Sequence, residues 1–239
     1  MDILPNTSLM DNSATLDGLR RRFFPSSSYP RRIFQSLIRT CVRPGDLVLD
    51  AGCGRETASA EFCSAGTYIG VDLERPLVRK NTVQGNLESL SLRTECIDLA
   101  ISDSVLEHVA SPSVVFGEIH RVLKPGGRFI FLTPNLWHYT ALVAYLVPNR
   151  WHPWIVRQTE GRNEVDTFPT LYRCNTAGAI RRYSHGRFRI SRLQYLSQYP
   201  NYLNFNLALF ALGCLYEKTL PGWLPALRGW LLAELLKDR

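Results

Sequence analysis

Residues 48–54 read Val48-Leu49-Asp50-Ala51-Gly52-Cys53-Gly54, and the fold turns on how this stretch is read. Leu47-Val48-Leu49 is an apolar run of the kind a strand shows when both faces of a parallel sheet are covered. It stops at an acid and two glycines. In an open parallel sheet, ligands sit beyond the carboxyl ends of the strands, where glycine admits a close backbone approach and a helix start offers unpaired N–H groups. Gly52 and Gly54 supply that approach. The dinucleotide fingerprint G-x-G-x-x-G requires a third glycine, but the sixth position counted from Gly52 is Thr57, so the pyrophosphate turn is incomplete. Asp50, directly ahead of the glycines, favours a cationic group nearby over a pyrophosphate.

Outward from this stretch the pattern repeats. Residues 58–65 suit a helix, and Tyr68-Ile69-Gly70-Val71-Asp72 reads as a second strand, which completes the strand, helix, strand unit of a parallel sheet. Residues 73–85 contain Pro76 and predict a loop or a single turn. Residues 97–102 read as a strand. Ser111 is placed to cap a helix with Pro112 in its first position and Val115, Ile119, Val122 and Leu123 along one face. Pro125-Gly126-Gly127 ends that helix, and residues 128–133 form a strand closed by Pro134. Upstream, residues 29–40 read as a helix opened by Pro30, followed by the turn Arg43-Pro44-Gly45-Asp46. Four strands alternating with helices predict an α/β fold with a doubly wound, mostly parallel, Rossmann-like sheet.

The flanks read differently. Residues 1–28 predict a loose N-terminal arm and residues 29–135 the ligand-binding core. Residues 136–202 hold an aromatic-rich insertion on the acceptor side and the last strands. Trp137, Trp151 and Trp154 stand there beside His138 and His152, without a sustained period. Long, tryptophan-rich connections of this kind cover sites. Within the same region, residues 175–183 suggest a helix and Arg187-Phe188-Arg189-Ile190 alternates as a strand. Residues 203–239 are Leu-rich and read as apolar C-terminal helices.

Composition narrows the function classes. Of 239 residues, 45% are apolar and 21% charged, which excludes a disordered or collagenous chain. The net charge is +7, with basic flanks and a slightly acidic middle; such a distribution identifies no nucleic-acid interface by itself. The six cysteines form no Cys-x-x-Cys pair and no zinc spacing, so reduced thiols and a cytoplasmic setting are expected, with no metal site. No signal-peptide pattern is read in the first 28 residues. Residues 203–216 are too short an apolar run for the roughly 20 residues that span a bilayer, which leaves a core helix or peripheral membrane contact through residues 203–236.

The motifs together resemble the class I S-adenosylmethionine-dependent methyltransferases, in their methyltransferase type 11 domain family. The stretch at 48–54 resembles the family's first motif and Gly70-Val71-Asp72 the second. Gln84-Gly85-Asn86-Leu87-Glu88 is similar to the adenine loop. Ile97-Asp98-Leu99-Ala100-Ile101-Ser102 with Val105-Leu106-Glu107-His108-Val109 resembles the fourth strand and its exit. Glu118-Ile119-His120-Arg121-Val122-Leu123-Lys124-Pro125-Gly126-Gly127, followed by Phe129-Ile130-Phe131, closes the set. The resemblance implies S-adenosyl-L-methionine as cofactor. Asp50 and the backbone of Ala51, Gly52, Cys53 and Gly54 would hold its methionine end, and Asp72 with Leu73 its ribose side. Asn86 and Leu87 would meet the adenine, and Ser102 would lie near the methyl donor. Arg55-Glu56 departs from the Thr-Gly or Ser-Gly that often follows Gly54, and the helix after the second strand is nearly absent.

The resulting expectation is transfer of a methyl group to a small-molecule acceptor, an oxygen of a sugar or lipid-linked intermediate. A membrane-held quinone or lipid is the alternative acceptor, and a non-catalytic cofactor-binding subunit the alternative role. For proton removal, His138 lies just past a strand's carboxyl end, while His108 stands at an expected helix start. His120 reads as a helix-face residue and His152 as a packing residue. Arg181, Arg182, Arg187, Arg189 and Arg192 suit either a phosphorylated substrate or a solvated face.

Overall fold

A computed structural model describes residues 18, 20–54, 58–74, 81–146, 169–200, 203 and 206–238. Seven strands form one sheet in the order β3-β2-β1-β4-β5-β7-β6. They are β1 (Leu47–Ala51), β2 (Thr67–Asp72), β3 (Thr82–Gln84), β4 (Ile97–Asp103), β5 (Leu123–Pro134), β6 (Phe188–Leu196) and β7 (Trp230–Lys237). The first five run parallel, and β7 is antiparallel to both β5 and β6. Strand β1 pairs with β2 on one side and β4 on the other, so the winding reverses there. That reversal opens a crevice at the carboxyl ends of β1 and β4.

Alternation along β5 shows how the sheet is covered. Successive strand side chains point to opposite faces. Phe129 and Phe131 therefore join the cluster of α2 (Pro112–Val122), where Phe116 sits edge-on to both at 5.8 and 5.9 Å. Ile130 and Leu132 face the other layer and meet Phe34 and Ile38 of α1 (Pro30–Cys41) together with Val48 and Ile101. Both faces of the central strands are thus buried, which is why β1 shows no polar alternation.

Several expectations change. Residues 203–239 are helical only in part: α5 spans Leu207–Trp223, but Trp230–Lys237 is strand β7, inserted between β5 and β6. An apolar run without alternation is compatible with a helix or a doubly covered strand. The unpaired edge of β5 decides in favour of the strand, and Glu234 tolerates burial there because it accepts from Arg128 at 2.6 Å and Ser191 at 3.2 Å. Residues 82–84, expected as loop, add edge strand β3. The helix expected over 58–65 is a short 3₁₀ segment, Ala58–Cys63. Ser111 makes no side-chain cap; its N–H donates to Glu88 instead at 3.0 Å. Strand β5 begins at Leu123, directly after α2, and Lys124 is anchored to both oxygens of Asp98 at 2.7 and 2.8 Å. Helices α3 (Tyr139–Leu146) and α4 (Ala177–Ser184) flank the insertion, most of which, with Trp151, His152 and Trp154, lies outside the described residues.

Candidate functional site

The loop after β1 is built on two left-handed glycines, Gly52 at φ 87° and Gly54 at φ 68°. The N–H groups of Gly52 and Cys53 both donate to the Val71 carbonyl, at 2.8 and 3.2 Å, which folds the loop back onto β2. A Cβ on Gly52 would stand 2.2 Å from Cγ2 of Val105, so only glycine fits against the segment leaving β4. Gly54 has open space where a Cβ would be. The Asp72 carboxylate accepts the Gly54 N–H at 2.8 Å through one oxygen and the Glu74 N–H at 2.9 Å through the other. It is half-buried and next to the exposed Leu73, whose carbonyl accepts from Gln84 of β3 at 2.9 Å. The Gly85 N–H donates to the Asp72 carbonyl at 2.7 Å, which brings the exposed Asn86 to the same edge. Leu87 turns inward and is buried in the core.

Asp50 is buried at the end of β1. Its buried carboxyl accepts from the Tyr68 hydroxyl at 2.8 Å and from Ser59, and burial pushes its pKa up to about 7. Cys53 is also buried, and its thiol is pushed up to about 12, which keeps it protonated. Ser102 is sealed within the sheet. Its hydroxyl donates to the Ala51 carbonyl at 2.8 Å and ties β4 to β1 at the point where the winding reverses.

Beyond β4 the chain presents polar groups that the sequence did not single out. Asp103 is paired with Arg31 of α1 at 3.2 Å. Glu107 is buried beside the Thr133 hydroxyl at 3.3 Å, and desolvation raises its pKa to about 7. Thr133 in turn accepts from Asn175 at 2.7 Å, while the carbonyl oxygen of the Asn175 side chain is buried without a hydrogen-bond partner. Leu171 and Tyr172 donate their N–H groups to the Glu107 carbonyl at 2.7 and 3.0 Å, so the segment after residue 168 closes over this end of the sheet.

His108 sits in a turn, not at a helix start, with its N–H donating to the Val105 carbonyl at 2.9 Å. Its Nδ1 lies 3.1 Å from the Pro169 carbonyl, so Nδ1 carries the proton and Nε2 the lone pair. Burial lowers its pKa and keeps it neutral. His138 is fully enclosed, with Nε2 at 2.6 Å from Glu217 of α5 and Nδ1 at 2.7 Å from the Thr140 hydroxyl. The structure therefore places His138 beneath α5 and His108 at the exit of β4. His120, on α2, packs edge-on against Phe188 of β6. Arg181, Arg182, Arg189 and Arg192 are exposed and Arg187 is half-buried. Glu107 stood within a quoted motif, yet nothing in its spacing announced Thr133 as its partner. Glu217 was hidden in a Leu-rich run.

A family model described as a methyltransferase domain matches residues 49–131. A probable S-adenosylmethionine-dependent methyltransferase of Mycolicibacterium smegmatis is 31% identical over 145 residues, covering 55% of this chain and 54% of the relative. A malonyl-[acyl-carrier protein] O-methyltransferase of Herminiimonas arsenicoxydans is 35% identical over 99 residues, covering 38% of each. The chain thus spans about half or less of the length of these curated relatives. Among solved structures, a geranyl diphosphate C-methyltransferase from Streptomyces coelicolor A3(2) superposes with a TM-score of 0.54 at 15% identity, covering 85% of this chain and 78% of that one. Residues 49–131, with the reversal at β1 and the glycine loop, thus form a methyltransferase domain, and its sequence is similar to that of S-adenosylmethionine-dependent methyltransferases.

Proposed function

We propose that the protein transfers the methyl group of S-adenosyl-L-methionine to an oxygen of a small-molecule acceptor, a sugar or lipid-linked intermediate. The observation that carries this reading is the Asp72 carboxylate, held at 2.8 Å on the Gly54 N–H at the open end of β2. A half-buried carboxylate fixed beside two left-handed glycines offers what a ribose diol and a charged amino acid need, and the open space at Gly54 leaves room for them. In this reading the backbone of Ala51, Gly52, Cys53 and Gly54 holds the methionine end and Asp72 takes the ribose hydroxyls. Leu73 and Asn86 border the adenine, with Leu87 supporting them from the core. Asp50 acts from below, fixing β1 to Tyr68, and Ser102 sets the separation of β1 and β4.

The bound cofactor supplies an already activated methyl group, so the chain's own task is alignment, exclusion of water and removal of the acceptor's proton. His108 suits proton removal: it is neutral, its Nδ1–H is committed to Pro169, and its Nε2 bears the lone pair. Glu107 beside it, with a pKa near 7, is the second acid–base group at this end. His138 reaches an acceptor only by giving up Thr140, so its role here is to position α5 through Glu217. The name of the Herminiimonas relative, an O-methyltransferase, supports oxygen as the acceptor atom. Calorimetry with S-adenosylmethionine, its demethylated product and NAD tests the cofactor, and comparable affinity for NAD rejects it. Turnover of radiolabelled cofactor against extracts of sugars and lipid-linked intermediates then tests the acceptor, which incorporation only into protein or nucleic acid rejects.

A further inference from the structure

Helix α5 is apolar on two opposite sides, and among the described residues only one of them is covered. Its inner side carries Phe210 and Cys214, packed with Phe24, and the buried Glu217 on His138. Gly213 lies against Pro200 and Leu203. Its outer side carries Leu209, Leu212 and Leu215, exposed by 40, 62 and 60%, and continues into Trp223 at 87% and Leu224 at 54%. A helix that is hydrophobic all round belongs where both sides meet apolar matter. At 17 residues, or about 25 Å, α5 is too short to cross a bilayer, and no helix among the described residues is long and apolar enough to do so.

The charge around this face indicates what covers it. Phe24 places residues 20–23 alongside α5, and Lys218 lies over the Phe24 ring at 4.7 Å. Arg21 and Arg22 are exposed there, next to Phe23, which is exposed by 38%. Residues 20–29 contain no carboxylate. Residues 206–229 contain one, Glu217, and it is buried. In these two segments the exposed charged side chains among the described residues, Arg21, Arg22 and Lys218, are all cations. A second copy of the chain seated on it would bring Arg21, Arg22 and Lys218 toward their own kind, whereas an anionic surface would satisfy them. Trp223 at the end of the stripe is the residue type that settles at a membrane interface.

We infer that the outer face of α5, with Phe23, Trp223 and Leu224, docks on an anionic lipid bilayer, lying in the interface without spanning it. The same helix holds His138 through Glu217, so docking places the membrane surface one helix away from the acceptor end of the sheet. Membrane binding is read without turnover, so its failure leaves the methyl-transfer reading untouched.

The test is sedimentation of the full chain with vesicles of phosphatidylcholine containing about one third phosphatidylglycerol, and with phosphatidylcholine alone, at low and high salt. The expected result is strong partition to the anionic vesicles, with a blue shift in emission that is lost in Trp223→Phe. Leu212→Glu with Leu215→Glu should lower the partition at least tenfold. Arg21→Glu with Arg22→Glu should remove the preference for anionic over neutral vesicles. Because the altered leucines are exposed, the melting temperature without lipid should stay within about 2 °C of wild type. Equal partition of wild type and both variants overturns the inference, as does no partition at all. A wild-type dimer that the leucine variant dissolves identifies a second copy as the occupant. A leucine variant that melts many degrees lower in the absence of lipid identifies the chain's own residues as the cover, and either result overturns the membrane assignment.

Discussion

Asp72 and Gly54, 18 residues apart, are joined by a 2.8 Å hydrogen bond from the glycine N–H to the carboxylate, so the end of β2 and the loop after β1 behave as one unit. The carboxylate is thereby oriented before any ligand arrives, and ligand binding need not pay for ordering it. Asp72→Ala should weaken S-adenosylmethionine binding by about 2–4 kcal/mol, through loss of two charge-assisted hydrogen bonds and of the loop's anchor. Calorimetry measures this. Unchanged affinity in a folded variant contradicts the role assigned to Asp72.

Gly52 is specified by two separate constraints, a φ of 87° and the contact with Val105. Gly52→Ala should cost about 2–3 kcal/mol of stability, with cofactor binding reduced in parallel. Val105→Ala in the same chain removes the clash but not the backbone strain, so the pair should recover part of the loss. Denaturant titrations of the four chains in the cycle measure it. Full recovery would show that the backbone conformation costs nothing, and no recovery that the Val105 contact is irrelevant.

Glu107 is neutral in the unfolded chain only below its ordinary value of 4.5, but in the folded chain up to about 7. The group's contribution to stability is therefore fully retained below about pH 4.5 and is lost as the pH rises through 7, because the folded state then carries a buried charge. Glu107→Gln removes this dependence. The variant should gain on wild type as pH rises from 5 to 8, by on the order of 3 kcal/mol at the top of the range. Parallel stability curves for the two chains across that range contradict the assignment.

His138 and Glu217 are both fully buried and meet at 2.6 Å, while the second Glu217 oxygen has no hydrogen-bond partner. Removing His138 leaves a carboxyl group buried alone, so His138→Ala should destabilise the fold by about 3–5 kcal/mol. His138→Ala with Glu217→Leu should recover much of that. If His138→Ala keeps its stability and loses only turnover, the imidazole is the base and the positioning role is wrong.

At His108, by contrast, the effect should appear in the chemistry. His108→Ala should lower kcat by about 100-fold or more with little change in KM, and should remove the acidic limb of the pH–rate profile. An unchanged kcat moves proton removal to Glu107 or to the acceptor itself.

The core was legible because its signals are local. The run ending at Asp50, the two glycines, and the strand ending at Asp72 each depend on neighbours within a few residues, and parallel strands covered on both faces announce themselves as apolar runs. The incomplete third glycine was enough to separate this loop from a dinucleotide turn. The C-terminal strand was not legible in this way. Trp230–Lys237 carries no alternation, and only the free edge of β5 and the Arg128 guanidinium waiting for Glu234 make it a strand.

The candidate site divides along the same line. That Gly52, Gly54 and Asp72 would stand together followed from residue type and spacing, because the ends of adjacent parallel strands meet whatever the rest of the chain does. That Asp50 is bound by Tyr68, that His138 is enclosed by Glu217, and that Glu107 is bound by Thr133 and His108 by Pro169 at the exit of β4 could be decided only by tertiary structure. Each of these contacts joins groups from separate parts of the chain. Their protonation and reach depend on burial and on partners up to 79 residues away, and neither quantity is written in local sequence.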